Sequence, residues 1–132
     1  MKKICIYARV STQSQDYRQL SELREYATRM NYEVVKEFSE KISGAKAIAE
    51  RQALTELLEY AAANRIDKVL VYECSRISRR AIDFLQVIEQ LTQMKVSVYI
   101  LQNGLETLMA DGSVNPIAQL VLGIIGQFNS ME

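Results

Sequence analysis

Histidine is absent from this chain of 132 residues. Without an imidazole, Ser-His-Asp and Cys-His catalysis are excluded, and so are most transition-metal sites. Neither sign of charge is in excess, because 16 Lys and Arg balance 16 Asp and Glu. Bulk charge therefore offers no grip on nucleic acid; any such grip needs clustered basic residues or another domain. No apolar run approaches the ~18 residues of a membrane span. The N-terminus lacks the long apolar core of a signal peptide, so a cytoplasmic location without a membrane partner is expected. Cysteine is confined to Cys5 and Cys74. Both fall in or at the end of expected strands and read as free thiols in a reducing compartment. Proline occurs once, at Pro116.

What is present suits an ordinary globular domain: 48% of residues are hydrophobic and 24% charged. A chain of this length forms one domain that buries roughly two thirds of its unfolded surface. Ile4 to Ala8 is an unbroken apolar run, expected to be a buried strand. Tyr17 to Asn31 carries Leu20, Leu23, Ala27 and Met30 at helical spacing, with Ser14 or Asp16 as its cap. Tyr32 to Phe38 is a second strand with partial alternation. Ser39 to Ala47 is a polar loop containing Ser43-Gly44.

Ile48 to Asn64 is a second helix, Asp67 to Tyr72 a third strand, Ala81 to Met94 a third helix and Lys95 to Leu101 a fourth strand. A short edge strand fits Leu105 to Leu108. Alternating strands and helices predict an α/β fold: three layers, with a mostly parallel sheet of four or five strands and helices on both faces.

The last segment differs. Asn115-Pro116 fits a helix cap with proline in the first turn. Beyond it, Ile117, Leu120, Val121, Leu122, Ile124, Ile125 and Phe128 are apolar on nearly every face. A surface helix needs only one apolar stripe, so this one is expected to be covered on two sides, by its own sheet and by a partner subunit. Gly123 and Gly126 permit close approach there. The boundaries expected are a core over 1–113 and the start of a long dimerisation helix over 114–132. The run ends at Glu132 with no helix stop signal, so a continuing helix is expected.

Ligands of parallel α/β sheets bind outside the carboxyl ends of the strands. The first strand delivers Arg9 and Ser11, two residues apart and so able to face one anion together. The second delivers Glu40 and Lys41; the third delivers Ser75, Arg76, Arg79 and Arg80. Arg51, at the start of the second helix, belongs to the same edge. Guanidinium groups stay protonated and bind phosphate oxygens in pairs, which suits a phosphodiester and the charge of its transition state. Taken singly, Ser11 reads first as a turn or capping residue, and Arg76 to Arg80 as a solvated basic turn; it is their joint placement on one edge that points to a ligand.

Together these blocks carry a resemblance. Tyr7-Ala8-Arg9-Val10-Ser11-Thr12, followed by Gln15 and Gln19, resembles the signature of the serine recombinases, the resolvase and invertase family. Phe38 to Gly44 is similar to a second block that usually has Asp at the Glu40 position. Glu50-Arg51-Gln52-Ala53-Leu54 resembles the family's Asp/Glu-Arg-x-x-Leu helix start, and Ser75 to Arg79 its Asp-Arg-Leu-x-Arg motif. Phe128 to Glu132 resembles the approach to a Glu-Arg pair on the interface helix.

The resemblance implies that Ser11 attacks a DNA phosphodiester to form a 5′-phosphoserine link. It implies that Arg9, Arg76 and Arg79 bind the phosphate, that Arg51 assists from the second helix, and that Gln15 and Gln19 support the site; Arg80 and Glu40 join the expected site from their place on the same edge. It also implies double-stranded DNA as partner, a DNA-binding domain that is not among these residues, a homodimer that becomes a tetramer in the synaptic complex, and neither metal nor other cofactor. Leu120, Val121, Ile124, Ile125 and Phe128 would form the interface. Ser75 departs from the family's Asp, and a serine is a poor acid or base near neutral pH. One alternative stays open, a catalytically impaired phosphate-binding or assembly module on the same fold; a flavodoxin-like small-ligand or signalling domain needs an acidic phosphoacceptor pocket or a flavin loop, and the sequence has neither after the first strand.

Overall fold

The strand Lys3–Arg9 (β1) is an interior strand, paired on both sides. Ile4, Cys5, Ile6 and Tyr7 are each 0% exposed. A strand buried on both faces needs apolar side chains at successive positions rather than alternate ones, which is why KICIYA reads as a run. The computed structural model describes residues 2–9, 14–40, 52–72, 81–120 and 123–124.

From β1 the chain passes through helix α1 (Ser14–Arg29), strand β2 (Glu33–Glu40), helix α2 (Gln52–Ala63), strand β3 (Lys68–Val71), helix α3 (Ala81–Gln93), strand β4 (Ser97–Ile100) and strand β5 (Leu105–Glu106). The sheet has five strands in the order β2-β1-β3-β4-β5. The first three pairings are parallel, and β5 joins β4 antiparallel. The expected α/β sheet with helices on both faces is therefore present, at the larger of the two strand numbers.

The two faces have separate cores. On one, Leu20, Leu23 and Ala27 of α1 pack on Ile4, Ile6, Ala8 and Leu70. On the other, Leu54, Leu57 and Ala61 of α2, with Val87 and Leu91 of α3, cover Cys5, Tyr7, Val69, Val71 and Val98. Ala118 joins this second core.

Local differences from the sequence expectation have physical causes. α1 starts at Ser14 and ends at Arg29, so Met30 lies in the following turn and is 48% exposed. That turn is a Schellman stop: Asn31 has φ 59°, and the Tyr32 amide donates to the Ala27 carbonyl at 2.9 Å. α3 ends the same way, with Lys95 at φ 62° and the Val96 amide donating to the Leu91 carbonyl at 2.9 Å. In β2 the pairing with β1 shifts between Ile4↔Val34 and Cys5↔Lys36, leaving Val35 as an extra residue. This bulge lets Val35 and Phe38, three apart, meet the same core.

Candidate functional site at the carboxyl edge

All three helices are reached from the carboxyl end of a strand: Arg9 leads to Ser14, Glu40 to Gln52, and Val71 to Ala81. The chain runs from β1 outward to β2, then returns across β1 to β3 and on to β4. The topological switch point therefore lies between β1 and β3, where sheets of this kind hold ligands at the carboxyl ends. Arg9 is the last residue of β1 and stands beside this point.

The edge is held firmly. β1 is hydrogen-bonded on both sides, and Arg9 pairs Cα to Cα with Glu40 at the end of β2. On the α1 face, Arg24 donates from Nε and Nη2 to the two Glu37 carboxylate oxygens, each at 2.7 Å. The paired guanidinium holds the Glu37 carboxyl below its ordinary range and outweighs the opposing effect of burial. On the α2 face, Phe38 meets Tyr60 edge-on at 6.0 Å, and the Lys36 ammonium lies 5.3 Å and 5.4 Å from those two rings. So β2 is braced from both helices just before Glu40. At β3, the amides of Leu101 and Gln102 donate to the Val71 and Tyr72 carbonyls, each at 2.9 Å. This fixes where the chain departs toward Ser75.

Of the residues expected from sequence, Arg9, Gln15 and Glu40 are placed by their backbone. Gln19 sits one turn after Gln15 on α1 and is half-buried; that spacing puts both on one side of the helix. Ser11, Lys41, Arg51, Cys74, Ser75, Arg76, Arg79 and Arg80 lie outside the described residues, as do Val121, Ile125 and Phe128. The structure thus brings Arg9 and Glu40 level on adjacent strands.

Leu120 and Ile124 are 67% and 49% exposed, and Ile117 is 69% exposed, while Ala118 is fully buried. One side of residues 116–120 therefore meets the core and the other is open. Among the described residues no helix is long and apolar enough to cross a membrane, and no group of three or more Cys, Asp and Glu side chains is placed to hold a metal ion.

Sequence reasoning missed a second polar cluster, at the opposite end of β3. Lys68 is 3% exposed, Ser97 5% and Thr107 6%. Nothing in the local pattern distinguishes Lys68 from a solvated residue at the start of a strand.

The family model described as the resolvase N-terminal domain matches residues 4–132. The Tn501 resolvase of Pseudomonas aeruginosa and the Tn1721 resolvase of Escherichia coli are each 31% identical over 100 residues, which is 76% of this chain and 50% of theirs. The chain thus spans about half the length of the curated relatives it matches. The N-terminal catalytic domain of TP901-1 integrase superposes with a TM-score of 0.78 at 31% identity, covering 98% of this chain and 95% of that one. A resolvase-family site-specific recombinase from Streptococcus pneumoniae shares the fold with a TM-score of 0.75 at 22% identity, covering 99% of this chain and 89% of its own. With a match running nearly from end to end, the chain belongs to the resolvase N-terminal domain family of serine recombinases.

Proposed function

We propose that the chain is the catalytic part of a site-specific DNA recombinase. The observation that carries this reading is the place of Arg9. It ends β1 beside the switch point, level with Glu40, in a chain that the family model matches over residues 4–132. Ser11 comes two residues later in sequence.

The reaction we infer begins with attack of the Ser11 Oγ on a DNA phosphorus. The new Oγ–P bond replaces the P–O3′ bond, leaving a 5′-phosphoserine link and a free 3′-hydroxyl. Arg9, Arg51, Arg76 and Arg79 neutralise the charge of the pentacoordinate state, and Arg80 adds to the phosphate grip. Gln15, Gln19 and Glu40 orient these groups. Attack by a 3′-hydroxyl on the phosphoserine reverses the step, so the bond is conserved and no nucleotide cofactor is consumed. Residues 1–113 act as the α/β core and 114–132 begin the dimerisation helix. A second copy is the partner that fits the open stripe, with double-stranded DNA as substrate and the cytoplasm as the working compartment.

Ser75 favours a second reading, a cleavage-impaired assembly module, because the family's usual carboxylate is missing there. One experiment separates the two. The native protein is incubated with a supercoiled plasmid bearing its sites, under conditions that trap cleaved DNA. A covalent protein–DNA adduct that is lost in Ser11→Ala supports the recombinase. No adduct from the native protein on a verified site supports the module, and an adduct gained by Ser75→Asp identifies the position that limits it.

A further inference from the structure

Among the described residues the buried polar side chains are Lys68, Ser97 and Thr107. They meet at one seam. The Lys68 Nζ donates to the Tyr32 hydroxyl at 2.9 Å and to the Glu106 carboxylate at 3.0 Å. The Ser97 Oγ donates to the other Glu106 oxygen at 3.0 Å. Thr107 fastens the next position: its amide donates to the Val98 carbonyl at 3.0 Å, and its Oγ1 accepts from the Val98 amide at 2.9 Å. The Tyr32 ring adds a face 4.9 Å from the ammonium. Burial alone would lower the basicity of Lys68, but the bonds to Tyr32 and Glu106 overcome it, and the ammonium is held above its ordinary range.

Burying polar groups costs stability unless each is paired. Their concentration at one seam therefore calls for a positional reason, and β5 supplies it. That strand is two residues long, too short to hold its register by pairing alone. If Glu106 left, a buried cation would lose its counter-charge, which is strongly unfavourable.

Glu106 also anchors the segment beyond β5. Its backbone carbonyl accepts from the Asn115 Nδ2 at 3.0 Å. Asn115 in turn caps the next helical segment: its Oδ1 accepts from the Ile117 amide at 3.1 Å and its carbonyl from the Gln119 amide at 3.0 Å. A continuous chain of bonds thus runs from a buried ammonium in β3, through β5, to the base of residues 116–120.

We propose that Lys68 and Glu106 form a latch that fixes the base of the helical segment beginning at Pro116, and with it which face of that segment is open. Lys68 and Glu106 are positioning residues, acting on the segment through Asn115. The latch does not depend on the recombination reaction.

Residue-resolved amide hydrogen exchange tests it on this chain. In Glu106→Gln and Lys68→Met, the amides of Thr107, Asn115, Ile117 and Gln119 exchange on the order of tenfold faster, as expected of a local opening. The amides of Cys5 and Leu57 keep their native rates. Glu37→Gln, which breaks an exposed ion pair elsewhere, leaves the Ile117 and Gln119 amides unchanged. If either of these variants fails to fold, Ser97→Ala is read in its place and should show the same local pattern to a smaller degree. Uniform acceleration across core and helix base, or unchanged rates at Ile117 and Gln119 in a folded variant, overturns the latch.

Discussion

Arg9 and Glu40 are register partners at the carboxyl ends of two neighbouring parallel strands. Their Cα atoms stand level where the two strands end, and Ser11 follows Arg9 by two residues in the sequence. On the recombinase reading, Arg9→Ala lowers strand cleavage by roughly 10²-fold or more, the usual scale for losing one transition-state charge contact. Arg9→Lys restores little, because an ammonium lacks the paired donors that match phosphate. Quantifying covalent adduct formation on a plasmid substrate checks both.

How far these features are legible in sequence depends on whether they are local. β1 is legible because it is buried on both faces, and an unbroken apolar run has few other uses in a soluble chain. The Asn115-Pro116 cap is legible because it needs only its own next residues. The Val35 bulge is not: it exists because β2 must match β1, and one strand alone does not reveal its register. The ends of α1 and α3 are obscured for another reason. Asn31 and Lys95 take the left-handed turn usually filled by glycine. Lys68 is hidden because its partners, Tyr32 and Glu106, lie 36 and 38 residues away. At the candidate site, residue types and spacing point to Arg9, Ser11 and Glu40 as neighbours on one edge. The exact register of Arg9 with Glu40 emerges only after the bulge has shifted the pairing.

Leu57 is 1% exposed beneath the sheet, so Leu57→Ala removes packed methyl groups and leaves a cavity. A loss of about 2–5 kcal/mol is expected. Glu59→Ala, on the exposed side of the same helix, stays within about 0.5 kcal/mol of the native chain. Urea unfolding followed by circular dichroism distinguishes the two.

The Arg24–Glu37 pair gives a pH-dependent contribution of known sign. Hydrogen bonds from Arg24 lower the Glu37 carboxyl from its ordinary value of 4.5. The unfolded chain therefore takes up this proton first as pH falls. The stabilisation is present above about pH 4.5 and is lost as pH drops through the lower folded value. Arg24 is largely solvent-exposed, so a modest coupling of about 0.5–1 kcal/mol is expected at pH 7. A double-mutant cycle of Arg24→Ala and Glu37→Gln measures it, and the coupling should shrink toward zero in acid.

Cys5 is fully buried in the second core. Burial raises its thiol from 9.0 to about 11, against a smaller opposing effect of Lys36. At pH 8 the folded chain should protect Cys5 from iodoacetamide, and urea should expose it; peptide mapping separates it from Cys74. In alkali the unfolded thiol ionises first. Stability present below pH 9 therefore declines as pH rises toward 11, and Cys5→Ala removes that part of the decline.

Ile117, Leu120 and Ile124 recur at helical spacing and are 69%, 67% and 49% exposed. Three large aliphatic side chains at this spacing are costly to leave in water. Ala118, between them in sequence, faces the core instead, so the stripe cannot turn inward without exposing the other side. A second copy of the chain is the partner that the proposed function requires. The variant Leu120→Lys with Ile124→Lys should keep the native melting temperature within about 2 °C, because little of either side chain packs internally. It should also shift the sedimentation coefficient toward that of a monomer at concentrations where the native chain associates. If the native chain itself sediments as a monomer up to millimolar concentration, a second copy is not what covers this stripe.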